Sequence, residues 1–192
     1  MSTIVVVRKG AEAAIAADTL TKWGSQKESA AYVVNHQKVL PVGKAFVAHC
    51  GPSSARHMLK DYFGSLKTPP RFTDPEDIFG IWIKLHHNCK ERYFLNPNED
   101  SSDSVESTRF DTLIASPSGI FGVGSHRLVQ EFTRFYAYGS GMEYAMGALW
   151  ALYDDPALTA EMLAIKAIEA AAEFNDATGL PVIYSTLTLK EY

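Results

Sequence analysis

Ser2 follows Met1 directly, and the β-branched run Thr3-Ile4-Val5-Val6-Val7 follows Ser2. Serine is small, so a methionine aminopeptidase is expected to remove Met1. The first residue would then carry a hydroxyl and an α-amino group together. Such a residue can act as a nucleophile whose general base is its own amine. The segment lacks the positive start, long apolar stretch and small-residue cleavage site of a secretory signal. It reads instead as a strand that begins at once. The plain alternative is that Ser2 and Thr3 do no more than open that strand.

Other chemistry is weakly indicated. His86, His87 and Cys89 lie close in sequence, but Cys89 falls on an apolar helical stripe and no partner cluster accompanies it, so no metal is expected. His49 and Cys50 are adjacent, yet in a strand their side chains point to opposite faces, which disfavours a thiol–imidazole pair. Cys50 and Cys89 form no disulfide framework.

The elements that must position these groups follow from the pattern. A hairpin runs through residues 4–8, turns at Lys9-Gly10 and returns through residues 13–17, with Asp18 at its end. Residues 19–29 are polar and read as a turn. Residues 32–34 start a third strand that leads to Lys38, and residues 45–50 form a fourth. Gly51-Pro52 stops it, and Ser53 or Ser54 is a suitable helix N-cap. Ala55, Met58, Leu59, Tyr62, Phe63 and Leu66 then make one apolar helical stripe. A second helix starts at Asp74-Pro75 and buries Ile78, Ile81, Trp82, Leu85 and Cys89. Residues 96–108 form a polar loop carrying Glu99, Asp100, Asp103 and Glu106, whose plain reading is a mobile, solvated segment. Strands return at 110–115, 119–123 and 132–138. Gly139-Ser140-Gly141 opens an Ala-rich helix. Thr159 caps another, with Met162, Ile165, Ile168 and Ala172 inward. Residues 181–189 close the chain as a strand.

Helices thus arrive in pairs between groups of strands, which argues against alternating βαβ winding. The expected fold is α+β: a four-layer αββα sandwich, two mainly antiparallel sheets between helix pairs. The 192 residues suit one domain, 1–192. Net charge is −4, so no nucleic-acid partner is indicated. No apolar stretch reaches the length of a membrane span, and with no export signal the cytoplasm is the expected location.

The ordered motifs resemble the N-terminal-nucleophile hydrolases, and among them the proteasome β-type, HslV-like peptidases. The resemblance covers nearly the whole chain. It rests on Ser2-Thr3-Ile4-Val5-Val6-Val7-Arg8, on Ala14-Ile15-Ala16-Ala17-Asp18, on Asn35-His36-Gln37-Lys38-Val39, on Val47-Ala48-His49-Cys50-Gly51, and on Tyr138-Gly139-Ser140-Gly141-Met142-Glu143-Tyr144-Ala145. Length, Ser2 and the acidic loop are similar to the betaproteobacterial proteasome homologues. Spacing from Asp18 selects Ser2 as the nucleophile where the family usually has threonine, with Thr3 the alternative. The segment from Asp18 to Lys38 is a few residues longer than in that family.

The resemblance implies a self-compartmentalising endopeptidase that hydrolyses unfolded polypeptides through an acyl-enzyme, without a cofactor. Ser2 attacks; Lys38 supplies an ammonium paired with Asp18; the N–H of Ala48 holds the oxyanion; Ser140 and Asp176 orient the amine and a water. The second supporting hydroxyl falls on Thr178 or Gly179. Phe46, Cys50 and His36 line the specificity pocket. The implied assembly is a homo-oligomeric double ring of six or seven subunits each, with seven favoured, and with residues 96–108 toward its pore. Whether an unfoldase docks is left open. The alternatives are a non-catalytic or gating ring subunit and an amidase acting on small amides.

Overall fold

The computed structural model describes residues 2–98 and 100–190. In chain order the first elements are β1 (Thr3–Lys9), β2 (Glu12–Ala17), β3 (Thr21–Trp23), β4 (Gln26–Glu28), β5 (Val39–Val42), β6 (Ala45–Cys50), α1 (Ala55–Ser65) and α2 (Pro75–Tyr93). There follow β7 (Asp111–Ser116), β8 (Gly119–Val123), β9 (Val129–Phe132), β10 (Phe135–Gly139), α3 (Met142–Leu152), α4 (Ala160–Phe174) and β11 (Ile183–Thr188).

Two antiparallel sheets carry the fold. The first has the order β10-β1-β2-β11 and the second β5-β6-β7-β8-β9. Strand alternation gives each sheet two apolar faces. On the first, Val5, Val7, Ala14 and Ala16 pack on Leu149, Leu163, Ala164 and Ile168 of α3 and α4. Ile4, Val6, Ala13 and Ile15 point the other way and meet Ala48, Leu113, Ala115 and Ile120 of the second sheet. The far face of that sheet, with Val47, Ile114 and Phe121, is covered by Leu59, Phe63, Trp82 and Leu85 of α1 and α2. The layers are therefore helix pair, sheet, sheet, helix pair. Runs apolar on both faces, as in β1 and β2, are what such a double burial requires.

The helix boundaries have local causes. Asp74 accepts a hydrogen bond from Asp77 N at 2.8 Å, and Pro75 follows it. Thr159 accepts from Met162 N at 3.2 Å. Ser54 stands at the N-cap of α1 but makes no side-chain cap.

Four expectations need correction. Residues 32–34 form no strand: Val34 is 95% exposed, and the chain instead makes the small β3–β4 hairpin and begins pairing only at Val39. A β-branched run can be built for a strand and still lie outside a sheet when no ladder is available to it. Residues 132–138 are two strands in different sheets, because a bend at Thr133-Arg134 carries the chain from one to the other. The inner face of α4 is Ala160, Leu163, Ala164, Ala167, Ile168 and Ala171, while Met162 is exposed; alanines on both surfaces let the helix lie close on β1 and β2. Finally, the 96–108 loop is exposed along much of its length but tied down at its base. Ser107 and Thr108 are buried, Glu106 accepts from Lys90 and pairs with His86, and Asp103 pairs with His126. Glu99 lies outside the described residues.

Gly139 ends β10 with φ +101°, and a Cβ there would sit 1.9 Å from the Ser2 carbonyl oxygen. Gly139→Ala is expected to lower the unfolding free energy by at least about 2 kcal/mol, measured as a shift in the urea midpoint.

Candidate active site

Asp18 directly follows β2 and is fully buried. Its Oδ1 accepts from Thr3 N at 3.0 Å and from Lys38 Nζ at 2.7 Å. Its Oδ2 accepts from Leu20 N at 3.0 Å and Gly179 N at 3.2 Å. Lys38, just before β5, also donates to the Leu20 carbonyl at 2.6 Å. One carboxylate thus ties together the start of β1, the end of β2, the loop before β11 and the lysine-bearing segment. Burial pulls both groups toward their neutral forms: it raises the Asp18 carboxyl and lowers the Lys38 ammonium, and their mutual attraction opposes both shifts.

Ser2 and Thr3 face opposite ways. Thr3 shares the side of Val5 and Val7, toward α3 and α4. Its hydroxyl oxygen accepts from Gly141 N at 3.0 Å and lies 2.6 Å from Thr178 Oγ1. Thr178 in turn donates to Asn175 Oδ1 at 3.0 Å, so Thr3 donates to Thr178 and both its hydrogen-bonding functions are engaged. Ser2 falls on the other side and lines a cleft of about 220 Å³ with Lys38, His36, His49, Gly51 and Arg56. Two larger hollows, one over Pro69 and Pro70 and one against α1, contain none of these residues.

The Ser2 carbonyl is held from the β10–α3 turn, by Ser140 N at 3.0 Å and Ser140 Oγ at 3.5 Å. The single Ser140 Oγ proton is shared with Asn175 Oδ1, the nearer acceptor at 3.1 Å, and Asn175 Nδ2 returns a bond to the Ser140 carbonyl at 3.0 Å. The structure therefore brings together Ser2, Asp18, Lys38 and Ser140. It does not bring in Asp176, which lies at the surface and pairs with Lys22. Asn175 occupies the inward position expected of that acid, and Thr178 is the hydroxyl three residues on. The signal in the sequence was the three-residue spacing of Asn175 and Thr178, obscured by the assumption that the first must be acidic.

Ala48 is also misplaced by the sequence reading. It sits mid-strand, opposite both Val39 and Leu113. His49 N bonds the Lys38 carbonyl at 3.4 Å, and N–H groups alternate sides along a strand, so the N–H of Ala48 points to β7 and into the ladder. Continued one residue past β6, the same alternation would turn the N–H of Gly51 toward the Lys38 side. Gly51 has φ +126° and lines the cleft. Of the expected pocket residues only His36 lines the cleft; Phe46 and Cys50 face the other sheet. His49, which the sequence raised only as a partner for Cys50, shares the face of Val47 and lines the cleft.

Among the described residues, no group of three or more His, Cys, Asp or Glu side chains could hold a metal ion, and no helix is long and apolar enough to cross a membrane.

No protein-family model matches the chain, and no curated protein matches it. Solved structures do. The structure of Thiobacillus denitrificans BPH is similar at 50% identity and a TM-score of 0.93, covering 98% of this chain and 98% of that one. A second structure of that protein, in complex with epoxomicin, shows the same identity and TM-score over 98% of this chain and 100% of the other. Eukaryotic HslV from Trypanosoma brucei shares the fold, at 18% identity and a TM-score of 0.67 over 97% of this chain and 99% of that one.

All four contacts of the Asp18 carboxylate come from donors, so an asparagine in its place must turn its NH₂ toward two of them. Asp18→Asn is expected to cost about 3–5 kcal/mol, as for a buried pair that loses one partner, and Asp18→Asn/Lys38→Met to recover part of it. Asp176→Asn should leave the urea midpoint where it was.

Proposed function

The chain belongs, with Thiobacillus denitrificans BPH, to the HslV-like, proteasome β-type N-terminal-nucleophile hydrolases, and on that premise we propose that it is an endopeptidase whose nucleophile is Ser2. The coarser part, a proteasome-type protease, rests on the family. The finer part rests on one observation: Ser2 opens on the cleft beside Lys38, whereas the Thr3 hydroxyl is engaged on the opposite face.

In this reading Ser2 Oγ attacks the carbonyl carbon of a peptide bond. The free α-amine of Ser2 takes the hydroxyl proton and passes it to the leaving amine. Water then hydrolyses the ester, and the amine again accepts the proton. An α-amine titrates near 8, and the Lys38 ammonium lowers that value while favouring the alkoxide. Asp18 fixes Lys38. The N–H of Gly51 is the oxyanion donor; one such group is worth about 2.7–4 kcal/mol. Ser140 holds the Ser2 carbonyl and Asn175 holds Ser140, which sets the direction of the amine. Serine lacks the γ-methyl that restricts χ1 in threonine, so this hydrogen-bonded frame must do more of the positioning.

The substrate is unfolded polypeptide. The assembly is a double ring of two sevens in the cytoplasm, with the acidic loop toward the pore, where repetition around the ring would draw in basic segments. Trp150 and Phe174, 79% and 70% exposed, are apolar surface of the kind that partner copies cover.

Intact mass is expected to show Met1 absent, because an amine tied up in a peptide bond is no base. An epoxyketone such as epoxomicin, which reacts with hydroxyl and amine together, is expected to label the protein and Thr3→Val but not Ser2→Ala. Retained Met1 would favour the non-catalytic subunit, and cleavage of small amides in preference to long unfolded chains would favour the amidase.

The pH dependence has two limbs. Activity should rise as the α-amine loses its proton, at or below about pH 8. It should fall again as Lys38 loses its charge, and because burial lowers that group the fall should come below the ordinary lysine value of 10.5. A pH–rate profile on an unfolded substrate measures both.

A further inference from the structure

The cleft beside Ser2 holds a cation that the proposed mechanism does not use. Lys38 is paired with Asp18, but Arg56, the second residue of α1, lines the same space and forms no ion pair with any described residue. Its guanidinium makes one hydrogen-bonding contact, at 3.4 Å, with Nε2 of the neighbouring His57. Most of its donors are therefore open. Nothing local calls for a cation at this position. The first turn of a helix favours negative charge, and this one has neither an acid nor a side-chain cap. The guanidinium also lies close enough to the inner wall to act on it. Burial chiefly lowers the Lys38 ammonium and the His49 imidazole, and the Arg56 charge pushes both the same way. We infer that Arg56 selects the substrate residue on the acyl side of the scissile bond, and that the side chain it takes is a carboxylate, glutamate or aspartate.

The charges around the cleft give that choice. His49 is held down to about 3 and stays neutral, and Lys38 is already matched by Asp18, so Arg56 is the charge that an incoming side chain meets. Glu28 is the single carboxylate among the described lining residues; it stands exposed on β4 and makes no ion pair with Arg56. A guanidinium matches a carboxylate with two parallel N–H···O bonds, and such charge-assisted bonds are about twice as strong as neutral ones. In a cleft partly shielded from water the attraction is stronger than at an open surface. A carboxamide of the same size offers one acceptor oxygen and no charge. An aliphatic side chain takes water from the guanidinium and returns nothing. The acyl-side position follows from the reaction. The residue whose carbonyl is attacked lies one bond from the carbon that Ser2 Oγ reaches, and a cleft of about 220 Å³ has room for its side chain. The acyl side also stays joined to Ser2 after the first step, so the contact acts in both.

This inference rests on the peptidase reading, and its test separates the two. Three fluorogenic peptides, identical except for Glu, Gln or Leu at the acyl-side position, are compared by kcat/KM with the assembled wild-type protein. Glu is expected to exceed Gln and Leu by about tenfold or more. Arg56→Gln is expected to bring Glu down to the level of Gln or below it. Arg56→Lys, which keeps the charge but not the planar fork, is expected to leave a smaller margin. In both variants epoxyketone labelling of Ser2 is expected to persist. Gln or Leu cleaved as well as Glu by the wild type, or a margin that the variants leave unchanged, overturns the inference and leaves the peptidase reading standing. Cleavage of none, with no labelling, overturns both. If Arg56→Gln does not assemble, the margin left by Arg56→Lys decides the matter.

Discussion

The site depends on one buried carboxylate. Asp18 gathers two donors on each oxygen, and those donors come from four separate stretches of chain. An ammonium as deeply buried as that of Lys38 is tolerable only against such a partner. The pair does more than hold a charge in place. It fixes the distance between the end of β2 and the segment before β5, which belong to different sheets, and so sets where the cleft opens.

The second constraint is the two-residue period of β1. Adjacent hydroxyls at Ser2 and Thr3 look interchangeable in sequence, but the strand sends them to opposite faces. One face opens on the cleft; the other is closed by Gly141, Thr178 and Asn175. The Thr3 hydroxyl therefore works as a strut between β1 and the turn after α4. That division of labour needs only a rigid strand starting at once, which the β-branched run provides.

The layers and the paired helices were legible because each rests on local pattern, apolar runs and caps, whereas the cluster of Ser2, Asp18, Lys38 and Ser140 was legible only through the resemblance of the motifs that carry it. What was not legible depended on register between distant strands. Ala48 against Gly51 turns on which way alternate N–H groups point, and that follows from the pairing of β6 with β5 and β7 rather than from any local signal. Asp176 against Asn175 turns on where the α4 C-terminus stops. The error in the α4 face has the same origin, a rotation of about one residue that alanine-rich helices conceal because so many positions can be inward. His49 was weighed only as a partner for Cys50, because nothing local says that both faces of β6 are covered.

The pairing order of the first sheet bears on synthesis. Thr3 precedes its anchors at Gly141 and Thr178 by 138 and 175 residues, and Ser2 is held from the same turn by Ser140. A contact spanning so much sequence closes late, since long loops must be ordered before it forms. A nascent polypeptide that has not yet reached Thr178 therefore carries the Ser2 and Thr3 hydroxyls without the frame that holds them.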